Sequence, residues 1–493
     1  MKPQYETYRY VGEICRLKSQ SIVECRLPGT EISGVLALQA TAVPTECGCT
    51  DGEVHYGGKV VLGIVYEDGE KKICRAERGA EFFHKAEGKD VTPACFAKAL
   101  LSAENVTYRR EGSGLYVTIV IDAELPVYGN KQIEYLSGGE GLICKKEQLC
   151  ICKTLCVSGE TEAEDEFETE NVGDILLHSE NAVVSAVTAK DGQIEVEGEL
   201  NLNICVLKGD ESVCSYERLL PFRMQIPCDE AFGEATAWAR VRVKSARLEA
   251  GVDEEKNKSK ILFSYCLSAD CFLNVKESFS VVLDAFSSDC ETTLKERKDG
   301  GRYLMRLVKR TERVGGNAML SPALDGEYAL QAAVLPRAEL TCRKTERGME
   351  AEGVISADVL LLGADGSHRA AKLDMPVSLP VDTEGDCTEV DCIVCGLNVR
   401  RKKSGETEAE ATLKLSLKSF GEQSWSYISE LEEGEKREES DSAFSLFIPR
   451  IGENLWEVAK RLGCAPEDLE KSNPELEFPV KEGNRIFVYR QVK

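Results

Sequence analysis

The sequence predicts a mainly β protein: three tandem antiparallel β-rich domains, sandwich- or barrel-like, followed by a small βααβ domain. Three observations carry this expectation. A pattern of turn glycine, short strand, second glycine and apolar strand recurs three times before residue 430. Strand-like alternation accompanies each copy, as in Ala411-Thr412-Leu413-Lys414-Leu415-Ser416-Leu417. The last ~50 residues change to short helical periodicity between two short apolar strands.

The first copy reads Gly52-Glu53-Val54-His55-Tyr56-Gly57 and continues through Val60 to Tyr66. The second reads Gly192-Gln193-Ile194-Glu195-Val196-Glu197-Gly198 and continues from Leu200 to Leu207. The third reads Gly348-Met349-Glu350-Ala351-Glu352-Gly353 and continues from Ile355 to Leu361. Gly57, Gly198 and Gly353 are aligned as markers, which sets an interval of about 140–155 residues. Such an interval suits a whole domain and is too long for a solenoid repeat. An apolar strand precedes each copy: Leu36–Val43, Ala182–Thr188 and Ala338–Cys342. Asp191-Gly192 between two such strands is a hairpin signal. A strand pair closes each copy: Glu104–Arg109 with Leu115–Ala123, Trp238–Leu248 with Lys260–Phe272, and Cys392–Arg400 with Glu408–Leu417. The domains are therefore placed at 11–146, 147–297 and 298–428. The acidic run Glu160–Glu170 reads as a solvated loop, and residues 429–442 as an acidic linker.

Residues 443–491 form the fourth domain. Phe444–Ile448 is a short strand ended by Pro449. Asn454 suits an N-cap and Glu457 completes a capping box. Leu455, Val458, Ala459 and Leu462 line one helical face, and Gly463 suits the C-terminal stop. Pro466 opens a second helix that runs out near Asn473-Pro474, before a strand at Arg485–Tyr489.

Composition narrows function. The 493 residues suggest about three or four domains at ~100–200 residues each. A hydrophobic share of 42% supports packed cores. The net charge of −24 disfavours nucleic acid and anionic lipid as partners. No apolar segment follows Met1–Tyr10 as a secretory signal requires, and no run reaches the ~20 apolar residues of a membrane span. A cytoplasmic location follows as an expectation, with the 21 cysteines as reduced thiols.

Catalytic chemistry is not advertised. His55, His84, His178 and His368 are scattered. Cys392-Ile393-Val394-Cys395 has redox spacing but falls in a strand, where no helix end stabilises a thiolate. Cys144, Cys150, Cys152 and Cys156 match no common zinc spacing, although zinc binding and cross-linking stay open. No phosphate loop occurs. The expectation is a non-enzyme with no cofactor, no metal and no catalytic residue.

The C-terminal segment resembles a LysM module through Gly452-Glu453-Asn454-Leu455-Trp456-Glu457-Val458-Ala459, Leu462-Gly463, Leu469, Asn473-Pro474 and Val480-Lys481-Glu482-Gly483-Asn484-Arg485-Ile486. It departs from the module at Gly452-Glu453-Asn454, where Gly-Asp-Thr or Gly-Asp-Ser is usual, and at Ala465, where a polar cap is common. With the β copies ahead of it, the chain resembles the SPOCS-plus-LysM spore-coat proteins of spore-forming Clostridia. That resemblance implies a scaffold in the mother-cell cytoplasm at the forespore surface. It implies a coat morphogenetic partner of the stage IV sporulation protein A type. The LysM likeness alone implies the other reading, binding of N-acetylglucosamine glycans in peptidoglycan. Either way the implied contact loops hold Gly452, Glu453, Asn454, Leu455, Trp456, Asn473, Pro474, Glu482, Gly483 and Asn484. Trp456 has two readings, a stacking platform and a core residue.

Overall fold

The computed structural model describes all residues except 28–31, 113, 171, 233–234, 254–257, 323–327, 347, 383–384, 386, 403–404, 438–443 and 490–493. The chain is mainly β, built of several antiparallel sheets, and the described residues include two short helices near its C-terminus.

The first seven strands are β1 (Lys2–Leu27), β2 (Ile32–Thr50), β3 (Glu53–Asp68), β4 (Ile73–Glu87), β5 (Phe96–Ala97), β6 (Leu100–Glu111) and β7 (Gly114–Glu140). β2-β3-β4 form one sheet; β7 carries β1 and, on its other side, β5 and β6. Alternate residues of β3 and β7 are buried, which is the period-2 signature of a strand with one core face. Val54, Tyr56, Val60, Leu62 and Ile64 of β3 meet Leu115, Val117, Ile119 and Ile121 of β7 in one core. The two sheets thus form a sandwich.

The same plan follows in β8 (Ile143–Glu170), β9 (Val172–Lys190), β10 (Gln193–Lys208), β11 (Val213–Pro227), β12 (Thr236–Asp253) and β13 (Lys258–Phe286). β9-β10-β11 packs on β8-β13-β12. The third group is β14 (Cys290–Ser321), β15 (Tyr328–Thr345), β16 (Gly348–Gly363), β17 (His368–Val381), β18 (Cys387–Arg401) and β19 (Thr407–Lys436). Here β15-β16-β17 faces β14-β19-β18, and the sheets join where Met319–Ser321 pairs with Lys372–Asp374.

Several expectations are corrected. The run Glu160–Glu170 is not a loop: it pairs with β13 along its whole length, from Ser268↔Glu160 to Lys258↔Glu170. Its acids mostly alternate with Thr161, Ala163, Phe167 and Thr169, so one face carries charge, and Glu160, Glu166 and Glu168 meet Lys244, Lys260 and Lys258. The supposed linker 429–442 is strand as far as Lys436, where Leu431 is buried and Glu430 and Glu432 hold Lys295; residues 438–443 lie outside the described residues. The ladders also outrun the expected domain limits, since β1 pairs from Lys2, β8 from Ile143 and β14 from Cys290. Finally, the marker is Gly58 and not Gly57. Gly58 stands opposite Phe82 as Gly198 stands opposite Phe222. A Cβ on either would strike that phenylalanine ring, at 2.8 Å and 2.3 Å. A one-residue shift matters because it exchanges the faces of the sheet.

The outer halves of the six longest strands leave the sandwiches as three ribbons, β1/β7, β8/β13 and β14/β19. They meet side by side. Tyr10, Ile133, Tyr135, Ile151, Val281, Trp425 and Tyr427 form one shared cluster, and Leu136, Val282 and Ile428 belong to the next. At the far end the hairpins also meet, through Ala37 and Val65, Leu177 and Cys205, and Val334 and Leu360.

Candidate functional site

Past residue 443 the chain forms β20 (Phe444–Phe447), α1 (Leu455–Leu462), α2 (Pro466–Ser472) and β21 (Ile486–Tyr489). β20 and β21 pair antiparallel. The capping box on α1 is complete: Asn454 Oδ1 accepts from Glu457 N at 3.0 Å, and Glu457 Oε2 accepts from Asn454 N at 2.9 Å. Gly463 ends the helix with φ 66°, the left-handed conformation that glycine adopts without steric cost.

The ten expected contact residues separate into three groups. Glu453, Asn454, Asn473 and Asn484 are used internally. Glu453 accepts from Arg461 Nη2 at 2.6 Å and Arg450 N at 2.8 Å. Buried Asn473 donates to Leu469 O and Phe487 O and accepts from Phe487 N, tying α2 to β21. Asn484 Oδ1 accepts from Lys481 N at 2.6 Å and closes its own turn. Gly452, Pro474, Glu482 and Gly483 are exposed. The two loops are also bonded to each other: Gly452 N donates to Val480 O, and Val480 N to Glu453 O, both at 2.9 Å.

Leu455 and Trp456 form the third group and face the body of the protein. Trp456 Nε1 donates to Asp284 Oδ2 at 2.8 Å, and Lys460 Nζ donates to Asp284 Oδ1 at 2.5 Å. The indole meets the Phe286 ring edge-on at 5.2 Å. Phe286 is fully buried in the same cluster as Val458, Ala459, Leu469 and Ile486, with Ile143 beside it. The end of the β8/β13 ribbon therefore supplies part of this small module's core. Arg437 Nη2 donates to Lys460 O at 3.1 Å and so caps the last turn of α1 from outside. The stacking-platform reading of Trp456 gives way to a docking residue.

The outer face of the two-stranded sheet carries exposed apolar side chains. Phe444, Leu446, Ile448 and Phe487 are 48%, 49%, 74% and 41% exposed, and Phe444 stacks on Phe487 at 5.5 Å. Ile451 adds a further exposed apolar side chain. Sequence reasoning missed this face and missed Asp284. The signals were present: Phe444-Ser445-Leu446-Phe447-Ile448 is apolar on both strand faces, and Asp284 is a lone acid in Val281–Phe286.

Elsewhere, charge concentrates where the three sandwiches touch. Glu389 of β18 binds Arg16 at 3.0 Å, Arg240 at 2.8 Å and Arg302 at 3.1 Å. Burial pushes its carboxyl up, but Arg240, Lys418, Arg302 and Arg16 outweigh this and hold it at about 2. Fully buried Lys418 binds Asp391 at 2.6 Å. His178 pairs with Glu180, and His368 Nδ1 lies 3.0 Å from Glu67. Burial drives the Cys392 and Cys395 thiols up to about 12, away from the reactive range. Among the described residues no group of three or more His, Cys, Asp or Glu could hold a metal ion. No helix among them is long and apolar enough to cross a membrane.

Comparison with family models, curated proteins and solved structures returns no match.

Proposed function

We propose that this chain is a non-enzymatic scaffold of endospore coat assembly, with three SPOCS-like copies and a LysM-like hook. In this reading it works in the mother-cell cytoplasm at the forespore surface. Its hook holds a coat morphogenetic protein of the stage IV sporulation protein A type. The observation that carries the reading is the outward apolar sheet face of Phe444, Leu446, Ile448 and Phe487 on a module whose helix side is already docked. Contiguous exposed apolar surface marks interaction sites. A module fixed on a large β body presents that face with little loss of freedom on binding.

The copy reading draws support from recurrence. Tyr135, Val281 and Tyr427 recur at one fixed interval along the chain and share one cluster; Leu136, Val282 and Ile428 do the same in the next. The hairpin tips also close alike: Asp68 N bonds Lys72 O, Lys208 N bonds Ser212 O, and Gly363 N bonds Ser367 O. One chain then performs as a pseudo-trimer around a common axis.

Glycan binding is the weaker alternative. Its expected groove loops spend backbone groups on each other, and Asn473 and Asn484 are internally satisfied. Two arms test the proposal: binding of the purified chain to a stage IV sporulation protein A-type ATPase, and co-sedimentation with peptidoglycan. Binding in the first arm and none in the second is expected. The reverse pattern would replace the scaffold with a wall-binding protein.

A further inference from the structure

One end of the first sandwich gathers four thiols, Cys15, Cys47, Cys49 and Cys95. Cys15 of β1 pairs with Val127 of β7, whose partner on the other side is Ala97 of β5. Side chains at one ladder position of adjacent strands share a face. Cys15 and Ala97 therefore point inward with Val127. Cys95 lies two residues before Ala97 and points the same way; its sulfur lies 2.9 Å from where a Cβ on Gly129 would stand, so a side chain there would exclude it. Cys49 comes from the facing sheet, at the end of β2.

The loop that carries Cys95 is tied to the turn after Cys49. Gly52 N donates to Val91 O, and Gly88 N donates to Gly52 O, both at 2.9 Å. Cys15, Cys49 and Cys95 are all half-buried and pack on the same core. Burial pushes the Cys49 thiol up, and the neighbouring Cys95 and Cys15 add to the effect.

The second sandwich provides an internal control. Its Ala235 N donates to Phe232 O as Cys95 N donates to Thr92 O, and its Gly192 N donates to Ala231 O as Gly52 N donates to Val91 O. Ala189 stands three residues before Gly192, as Cys49 stands three before Gly52. Alanine satisfies the packing at both places, so packing alone does not call for sulfur in the first sandwich.

We propose that Cys49 and Cys95 are an oxidation site at which a peroxide forms a disulfide, stapling loop 88–95 to β2. Cys95 reacts first, because Thr92, Pro93 and Ala94 leave its loop open to solvent. Its thiolate attacks one peroxide oxygen, the O–O bond breaks, and water leaves a sulfenic acid on Cys95. The Cys49 sulfur then attacks that sulfur while its thiol proton passes to the departing oxygen, the S–O bond breaks, and a second water departs. Two thiols have lost two electrons and two protons to one peroxide, which becomes two waters.

The test treats the full chain with hydrogen peroxide, alkylates residual thiols, and reads peptides by mass spectrometry. A Cys49–Cys95 linked peptide is expected, with loss of alkylation at both residues and recovery after dithiothreitol. Cys49→Ala and Cys95→Ala each abolish the link, and the second sandwich's alanines at these places indicate that both variants fold. Amide exchange at Gly52 and Val91 slows on oxidation in the wild type alone. Alkylation of both Cys49 and Cys95 after other thiols have oxidised would overturn the proposal. So would a Cys95 link to Cys15, to Cys47 or to another chain, or a Cys47–Cys49 link.

Discussion

Glu389 gathers three guanidinium groups from strands of three different sandwiches: Arg16 of β1, Arg240 of β12 and Arg302 of β14. The carboxylate is not expendable here, because removing it leaves like charges facing one another with little solvent. Glu389→Gln is expected to cost about 2–4 kcal/mol in urea unfolding, allowing for a side chain that is 20% exposed. The sign of its pH dependence follows from its depressed carboxyl, at about 2. Its contribution is complete above the unfolded value of ~4.3 and disappears as pH falls towards 2. Wild type should therefore lose stability between about pH 4 and 2 more steeply than Glu389→Gln. Asp358 behaves oppositely. Burial raises its carboxyl to about 6, despite Arg337 and the Leu38 N–H. Deprotonation at neutral pH works against folding, so stability from this group increases as pH falls from about 6 to 4. Asp358→Asn should raise the melting temperature at pH 7 and raise it much less at pH 4; an equal shift at both values would refute the assignment.

Among the elements, α1 depends most on its surroundings. Its eight residues are too few to hold a helix alone, and its cap, its packing and Asp284 together keep it. Removing the acceptor of two hydrogen bonds, one of them to a cation, costs about 2–3 kcal/mol. Asp284→Ala is expected to speed amide exchange throughout α1 while β9–β11 keep their protection. Unchanged exchange in α1 would show that the Asp284 contacts do not hold the module. The helix itself was legible in the sequence because its determinants are local: Asn454, Glu457, the apolar spacing and Gly463. Its docking was not legible, because Asp284 and Trp456 are 172 residues apart. The acidic strands failed for another reason. In Thr161–Thr169 charge count hid a period-2 alternation whose inward residues are small, with Phe167 the one large apolar side chain. Marker glycines misled by one position because Gly57 and Gly58 are adjacent, and only the ladder says which one faces Phe82.

At the scale of the molecule, the ribbons, the Glu389 node and the hairpin tips each join all three sandwiches. Cores that share this much surface should unfold together. A single urea transition is expected for the β body, with coincident fluorescence and circular dichroism; three separated transitions would return the chain to independent beads. The strand-rich class was readable from alternation and turn glycines, whereas the joining of the sandwiches was not, since Tyr10, Tyr135 and Trp425 carry no mark of which distant strand they meet. On the proposed scaffold reading, the partner contact falls on the exposed apolar face of Leu446 and Phe487. The most direct measurement is the affinity of the full chain for a stage IV sporulation protein A-type ATPase, compared with Leu446→Asp and Phe487→Asp, with α1 exchange as a check that the module stays docked. The account predicts binding by the wild type and at least a tenfold loss, about 1.4 kcal/mol, in each variant. Equal affinity in all three proteins, or none in the wild type, would contradict it.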